Sequence, residues 1–234
     1  MATRVDTAFT SVRYGLERQA LGALDQFFAQ MSADILRAYD AGQTTKIYDN
    51  LVAPRPGRER WGDLLADEVA GLTSRAAYDV GSRVAQDLGL NVPGQWSASG
   101  MQNYLSDASQ QMAYGFSELM EKGLSQASSR EYVESFLAEV QGPMRERLAR
   151  EIVGTGGNFG AYDAAQRAGA SFKQWKVTSG NPRPEHSAMN GEVRPLGDPF
   201  SNGMAYPRGS GPPGQTANCK CVMVIVRAGD GDAG

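Results

Sequence analysis

Residues 154–178, GTGGNFGAYDAAQRAGASFKQWKVT, decide the fold, because within them patterning of one period gives way to patterning of another. Tyr162, Ala165 and Ala168 keep a helical spacing, and Gly169 supplies a stop signal. Phe172-Lys-Gln-Trp175-Lys-Val177-Thr178 is then a strand-length run holding β-formers. The cluster Gly154-Thr-Gly-Gly157-Asn158-Phe159-Gly160 reads as a flexible joint ahead of a fifth helix, with Asn158 as its cap. A phosphate cradle fits poorly, since no Gly-Lys-Ser/Thr ending follows and a helix rather than a strand precedes the glycines.

Upstream, the patterning is helical throughout. Val5, Phe9, Val12, Leu16, Leu24, Phe27 or Phe28, Met31, Ile35 and Tyr39 lie on one face, predicting one long helix or two collinear ones over residues 4–40. Ala41-Gly42 ends it, and a loop containing Pro54 and Pro56 runs to Gly57. A second helix starts near Trp61 with Leu65, Val69, Leu72, Ala76, Val80, Val84 and Leu88 on its stripe, closed by Gly89 and Pro93. A third, over about 97–124, carries Met101, Leu105, Ala108, Met112, Phe116 and Leu119. Its Gly100, Gly115 and Gly123 each cost about 1 kcal/mol relative to Ala, so packing must sustain it. Ser128-Ser-Arg-Glu131 has capping-box spacing, with Ser128 as the cap, and opens a fourth helix striped by Val133, Leu137, Val140, Met144, Leu148 and Ile152. Pro143 should kink or divide it. These spacings sit nearer the α-helical period than a strict heptad, so a helical bundle is expected rather than a long coiled coil, with a helix face left for self-association.

Downstream, Cys221-Val-Met-Val-Ile-Val226 is an apolar strand-length run, expected to be buried on both faces if it lies mid-sheet. Before it stands SGNPRPEHSAMNGEVRPLGDPFSNGMAYPRGSGPPGQTANCKC, a long polar segment. Seven of the 11 prolines and 10 of the 28 glycines fall from Gly180 onward, so the loop character is concentrated there. Trp175, Met189, Val193, Leu196, Phe200, Met204 and Tyr206 can anchor this segment against disorder. Asn190-Gly191 reads as a tight turn between two short strands, tolerating positive φ at both positions.

Composition narrows the class. With 2 Cys in 234 residues a disulfide scaffold is excluded, and 41% hydrophobic residues without a glycine triplet repeat point to a folded chain. Residues 1–170 hold 16 basic and 21 acidic side chains, net −5, and residues 171–234 hold 7 and 5, net +2. The total of −3 gives no broad basic face for nucleic acid. No apolar stretch reaches the roughly 18 residues of a membrane span, and the charges scattered through MATRVDTAFTSVRYGLERQAL leave no signal-peptide core. The chain is expected in the cytosol or in an assembly made there.

Arg150-Glu151, a helix ending in Ala-Gly, Trp175 on a strand, Arg183-Pro-Glu-His186, Asn190-Gly191-Glu-Val, Asp198-Pro-Phe200, Tyr206-Pro207 and Asn218-Cys219-Lys220-Cys221 follow one another in order. Over about residues 145–227 this order resembles the phage Mu F-like head-morphogenesis family, the minor head proteins of tailed phages. Two positions depart from it: Lys220 stands where the family usually has Arg, and Ser179-Gly180-Asn181 lacks a family Asp. The resemblance implies a virion protein present in few copies per head, interior or portal-proximal. It also implies contacts with portal, scaffold or major head protein during procapsid assembly, with an effect on DNA packaging or delivery in some members. It implies no established enzyme.

The single His and both Cys lie in this one segment. His186, Cys219 and Cys221 could bind zinc, with Asp198, Glu185 or water completing the set, and the competing reading makes both cysteines small buried groups and has His186 hydrogen-bond loop carbonyls. Alternation puts Cys219 and Cys221 on one side with Lys220 opposite. A Cys219–Cys221 disulfide would be strained. A Cys–His hydrolase oriented by Asn190 or Asn218, or a metal nuclease using His186 and Asn190, would be the enzymatic alternatives, and neither has a complete constellation visible in the spacing. Arg183, Arg194, Arg208, Lys220 and Arg227 could meet DNA or an acidic portal surface, as in a packaged DNA-binding protein, but interspersed acids favour a solvated mixed surface. The expectation is an α+β protein: a mainly helical region over 1–153, a small α+β domain with a short sheet and a long Gly/Pro-rich loop over 154–228, and a disordered tail over 229–234.

Overall fold

A computed structural model describes residues 5–43, 47–48, 52, 60–89 and 99–226. Its elements are α1 (Val5–Asp40), α2 (Trp61–Asp87), α3 (Ser99–Leu124), α4 (Arg130–Arg167), β1 (Phe172–Lys176), α5 (Pro184–Ala188), β2 (Val193–Pro195), α6 (Pro213–Thr216) and β3 (Val222–Val226). The protein is α+β as expected, a helical N-terminal region followed by a small antiparallel sheet. The expected loop at Pro54 and Pro56, Pro93, the side chains of Val5, Met101 and Leu105, Arg227 and the tail over 229–234 lie outside the described residues.

Among the described residues the stripes read from the sequence are buried or half-buried, and Leu119, 38% exposed beside buried Met120, is the one outward member. Gly42 ends α1 at φ +78°, its N–H donating to Tyr39 O at 2.9 Å, and Gly89 at φ +79° closes α2 in the same way. At the start of α4 the cap is Ser129 rather than Ser128: its Oγ accepts the Tyr132 N–H at 3.1 Å.

The contacts divide the chain into two compact units, one of residues 1–18, 73–98 and 150–234 and the other of 19–72 and 99–149. This division is not sequential, whereas a boundary at 153/154 was expected, and that position lies inside α4. In the second unit Phe27, Phe28, Trp61 and Phe116 form an aromatic cluster, with centroids 5.1–5.7 Å apart. Leu24, Met31, Ile35, Leu65, Val69, Met120, Val133 and Leu137 extend this core. Phe136 lies over Gly123, where a Cβ would stand 1.9 Å from its ring.

Helix α4, which runs through stretches of both units, corrects two expectations. It is one helix, neither divided at Pro143 nor interrupted by a joint at 154–160. The glycines serve close approach instead. A Cβ at Gly156 would stand 2.3 Å from Thr73 O and one at Gly160 2.1 Å from Ala77 O, so their absence lets the backbone of α2 lie against α4. At Gly157 the ring of Phe9 occupies the equivalent space. Asn158 is accordingly no cap but a fully buried mid-helix residue.

The sheet has the order β2-β1-β3, with both pairs antiparallel, registered as Phe172↔Pro195 and Trp175↔Met223. The apolar run 222–226 is therefore an edge strand, not a central one, although it is buried. Its edge is covered by Asn158, whose Nδ2 donates to Cys221 O at 3.1 Å while its Oδ1 accepts the Met223 N–H at 2.8 Å. On β1 the inward residues are Lys173 and Trp175. Lys173 Nζ donates to Leu196 O (2.9 Å) and Ala205 O (2.6 Å) and lies about 5 Å from the ring centroids of Tyr162 and Phe200, tying the long segment down. Burial lowers its pKa to about 8, against a smaller raising effect of Asp198. Of the expected anchors, Met189, Leu196, Phe200, Met204 and Tyr206 are buried, and Val193 is 46% exposed.

Candidate functional site

The fold draws the single His and both Cys together. β1 supplies Trp175 as a wall, 5.4 Å from the ring of His186 and 5.2 Å from that of Phe200. Helix α5 begins with Pro184 at a position where the missing N–H is not needed, and it turns His186 inward to 2% exposure. The chain then returns through α6 to Asn218, at φ +54°, and the alternation expected of 219–221 holds, with Cys219 and Cys221 buried and Lys220 exposed.

His186 Nδ1 lies 3.6 Å from Cys219 Sγ and 3.6 Å from Cys221 Sγ. On the other side of the ring, Nε2 lies 2.9 Å from Gln215 Oε1. With that oxygen as acceptor, Nε2 carries the proton and Nδ1 presents its lone pair to the two sulfurs. Both cysteines are free, and the Cys221 N–H donates to Cys219 Sγ at 3.4 Å. The Cys219 thiol is pulled down to about 6, chiefly because the Cys221 thiol donates to it, then through the Cys221 amide and the nearby Arg208 charge; burial opposes this. The same shared hydrogen bond, with burial and the Cys219 charge, pushes Cys221 up, while the indole of Trp175 and Arg208 favour its ionised form. The indole Nε1 has no acceptor within conventional hydrogen-bond distance.

A cavity of about 240 Å³ opens onto this trio, lined also by Ser179, Asn181, Arg183, Asn218 and Lys220. Among the described residues His186, Cys219 and Cys221 form a group whose ligand atoms all lie within 4.8 Å of one another. Asp198 and Glu185, the expected fourth ligands, are exposed and do not belong to it, and Asp198 instead acts on Lys173.

Other singled-out residues hold the module. Asn190 does not orient His186: its Oδ1 accepts the Val177 N–H at 2.9 Å, extending the pairing of β1. Gly191, at φ +88°, donates to Trp175 O at 2.8 Å, so Asn190-Gly191 closes α5 and enters β2 rather than joining two strands, and Asn190 keeps a negative φ. Arg183 Nη2 donates to Ala217 O at 2.6 Å. Phe200, Pro207 and Glu151 are buried, and Arg150 is half-buried on α4. The basic residues do not all share one patch: Arg183 and Lys220 line the cavity, Arg194 pairs with Glu192 at 2.6 Å, and Arg208 is buried, its Nε donating to Cys219 O at 2.5 Å. Arg208 also stands in the space left by Gly154.

Sequence reasoning missed Gln215 and Lys173, and gave Asn158 and Arg208 other roles, a helix cap and a surface cation. Only Lys173 carried a readable signal, since it shares the parity of Trp175 on β1. Among the described residues no helix is long and apolar enough to cross a membrane. No protein family, curated protein or solved structure matches the chain.

Proposed function

We propose that the chain is a minor head protein of a tailed phage. It acts by protein contacts with portal, scaffold or major head protein during procapsid assembly, in few copies per head. The motif order over 145–227 supports the reading, and one observation carries it: the motif residues use their polar groups inside the C-terminal segment itself. Arg183 bonds Ala217, Asn190 bonds Val177, His186 bonds Gln215, and Trp175 and Phe200 pack together. Side chains engaged in this way make a rigid module that presents a surface. That surface includes exposed apolar groups, Phe172 and Val193 on the sheet. The test is incorporation: a tagged chain produced with the remaining head proteins co-purifies with procapsids in few copies. Recovery of tag-free procapsids beside soluble chain would refute the reading.

A second reading rests on a specific geometry. Cys219 Sγ, His186 Nδ1 and Gln215 Oε1 stand in the order nucleophile, base, orienting group, so the site could serve as a Cys–His hydrolase. Folded Cys219→Ala that enters procapsids normally but loses a proteolytic activity seen with the parent chain would favour it.

A further inference from the structure

We propose that His186 Nδ1, Cys219 Sγ and Cys221 Sγ form a zinc site, with a solvent molecule from the adjoining cavity in the fourth position. The site does not depend on the head-assembly role.

The distances fit this ion. Zinc takes imidazole nitrogen at about 2.1 Å and thiolate sulfur at about 2.3 Å, and at tetrahedral angles those lengths give N···S edges of about 3.6 Å and an S···S edge of about 3.8 Å. Both N···S separations are 3.6 Å, and all three ligand atoms lie within 4.8 Å of one another. The two N···S separations thus match tetrahedral edges, and the two sulfurs stand within 4.8 Å of each other on the same side of the imidazole. The fourth corner has no protein ligand in the group and borders the cavity of about 240 Å³.

The surroundings are those that a bis-thiolate site requires. Gln215 holds the Nε2 proton, which fixes the imidazole with Nδ1 as the ligand atom and orients the ring. The Cys221 amide donates to Cys219 Sγ, and Arg208, buried and bonded to Cys219 O, places a positive charge beside sulfurs that become anionic. The Trp175 indole N–H, without a conventional acceptor, lies on the Cys221 side. Two sulfurs and one imidazole select a borderline-soft cation over magnesium or calcium. On binding, each thiol that still carries a proton releases it to solvent as its sulfur–metal bond forms, so no oxidant or reductant enters.

The test uses the reduced full chain, stripped of metal, with cobalt(II) as the probe and zinc as the competitor. The expected result is one cobalt per chain, with a thiolate-to-cobalt charge-transfer band and tetrahedral visible bands that equimolar zinc abolishes. Cys219→Ser and Cys221→Ser should each roughly halve the charge-transfer intensity, one thiolate remaining in each. Gln215→Ala removes no ligand and should weaken cobalt affinity roughly 10–100-fold while circular dichroism stays that of the parent chain. A folded parent chain without a charge-transfer band, its two thiols alkylating freely with cobalt present, overturns the proposal. So does a band that persists unchanged in folded His186→Gln. Because the first measurement needs only the parent chain, unfolding of a variant leaves the proposal open to refutation.

Discussion

Asn158, in the middle of α4, accepts the N–H of Met223 on β3 at 2.8 Å, and the same side-chain amide donates to the carbonyl of Cys221 at 3.1 Å. One buried residue thus stands in for a neighbouring strand at the edge of the sheet and fixes the strand that follows both cysteines. A third bond, Nδ2 to Gly154 O at 2.8 Å, holds the side chain against its own helix.

Asn158→Leu should therefore destabilise strongly. It leaves a buried carbonyl and a buried amide without partners, at about 1–3 kcal/mol for each. Urea unfolding should show a lower midpoint with an unchanged slope, a loss of roughly 2–5 kcal/mol. A change below about 0.5 kcal/mol would mean that water satisfies the edge of β3 instead.

The glycines of α4 give a sign test. Gly160→Ala adds a methyl group 2.1 Å from Ala77 O and should destabilise, although alanine is the better helix former. Gly115→Ala, on an exposed face of α3 with nothing within 4 Å, should stabilise by roughly 0.5–1 kcal/mol. Equal and positive effects of the two on melting temperature would remove close approach as the reason for the glycines.

Lys173 predicts a pH dependence. Its folded pKa of about 8 lies below the ordinary 10.5, so between these values the unfolded chain binds more protons and stability rises with pH. Below pH 8 the burial penalty is constant, and above about 10.5 it is gone. Chemical unfolding of the parent chain and Lys173→Met at pH 8 and pH 10 should show a rise in the parent that the variant lacks. Parallel pH curves would contradict the buried charge.

The exposed pair Phe172 and Val193 bears on assembly. Gln174, not Phe172, is the register partner of Val193, yet both apolar groups belong to adjoining strands of a three-stranded sheet. Phe172→Ser combined with Val193→Ser should leave the melting temperature within a few degrees of the parent and lower the copies per procapsid severalfold. Full incorporation of the double variant would place the contact elsewhere.

The helices were readable because Leu24, Ile35, Val80 and Leu148 repeat at the period of a buried face, a local property of the chain. The His–Cys cluster was readable for a different reason: His186, Cys219 and Cys221 are the only residues of their types and fall in one segment. What escaped was non-local. Gly156 and Gly160 look like a joint to any local reading, and only the backbone of α2 lying against them explains their place in a helix. Gln215 and Arg208 sit in the Pro- and Gly-rich stretch with no periodicity to mark them, and their roles arise when the chain brings Cys219 back beside His186. Lys173 was overlooked because a lysine is rarely buried, despite its strand parity with Trp175.

The central claim, that this chain is a head-assembly component acting by binding, is tested most directly by electron cryo-microscopy of portal-containing particles made with and without it. The account predicts additional density inside the head or at the portal vertex, amounting to few copies and absent from particles lacking the protein. Identical maps of the two particles, with the chain missing from purified heads, would contradict it.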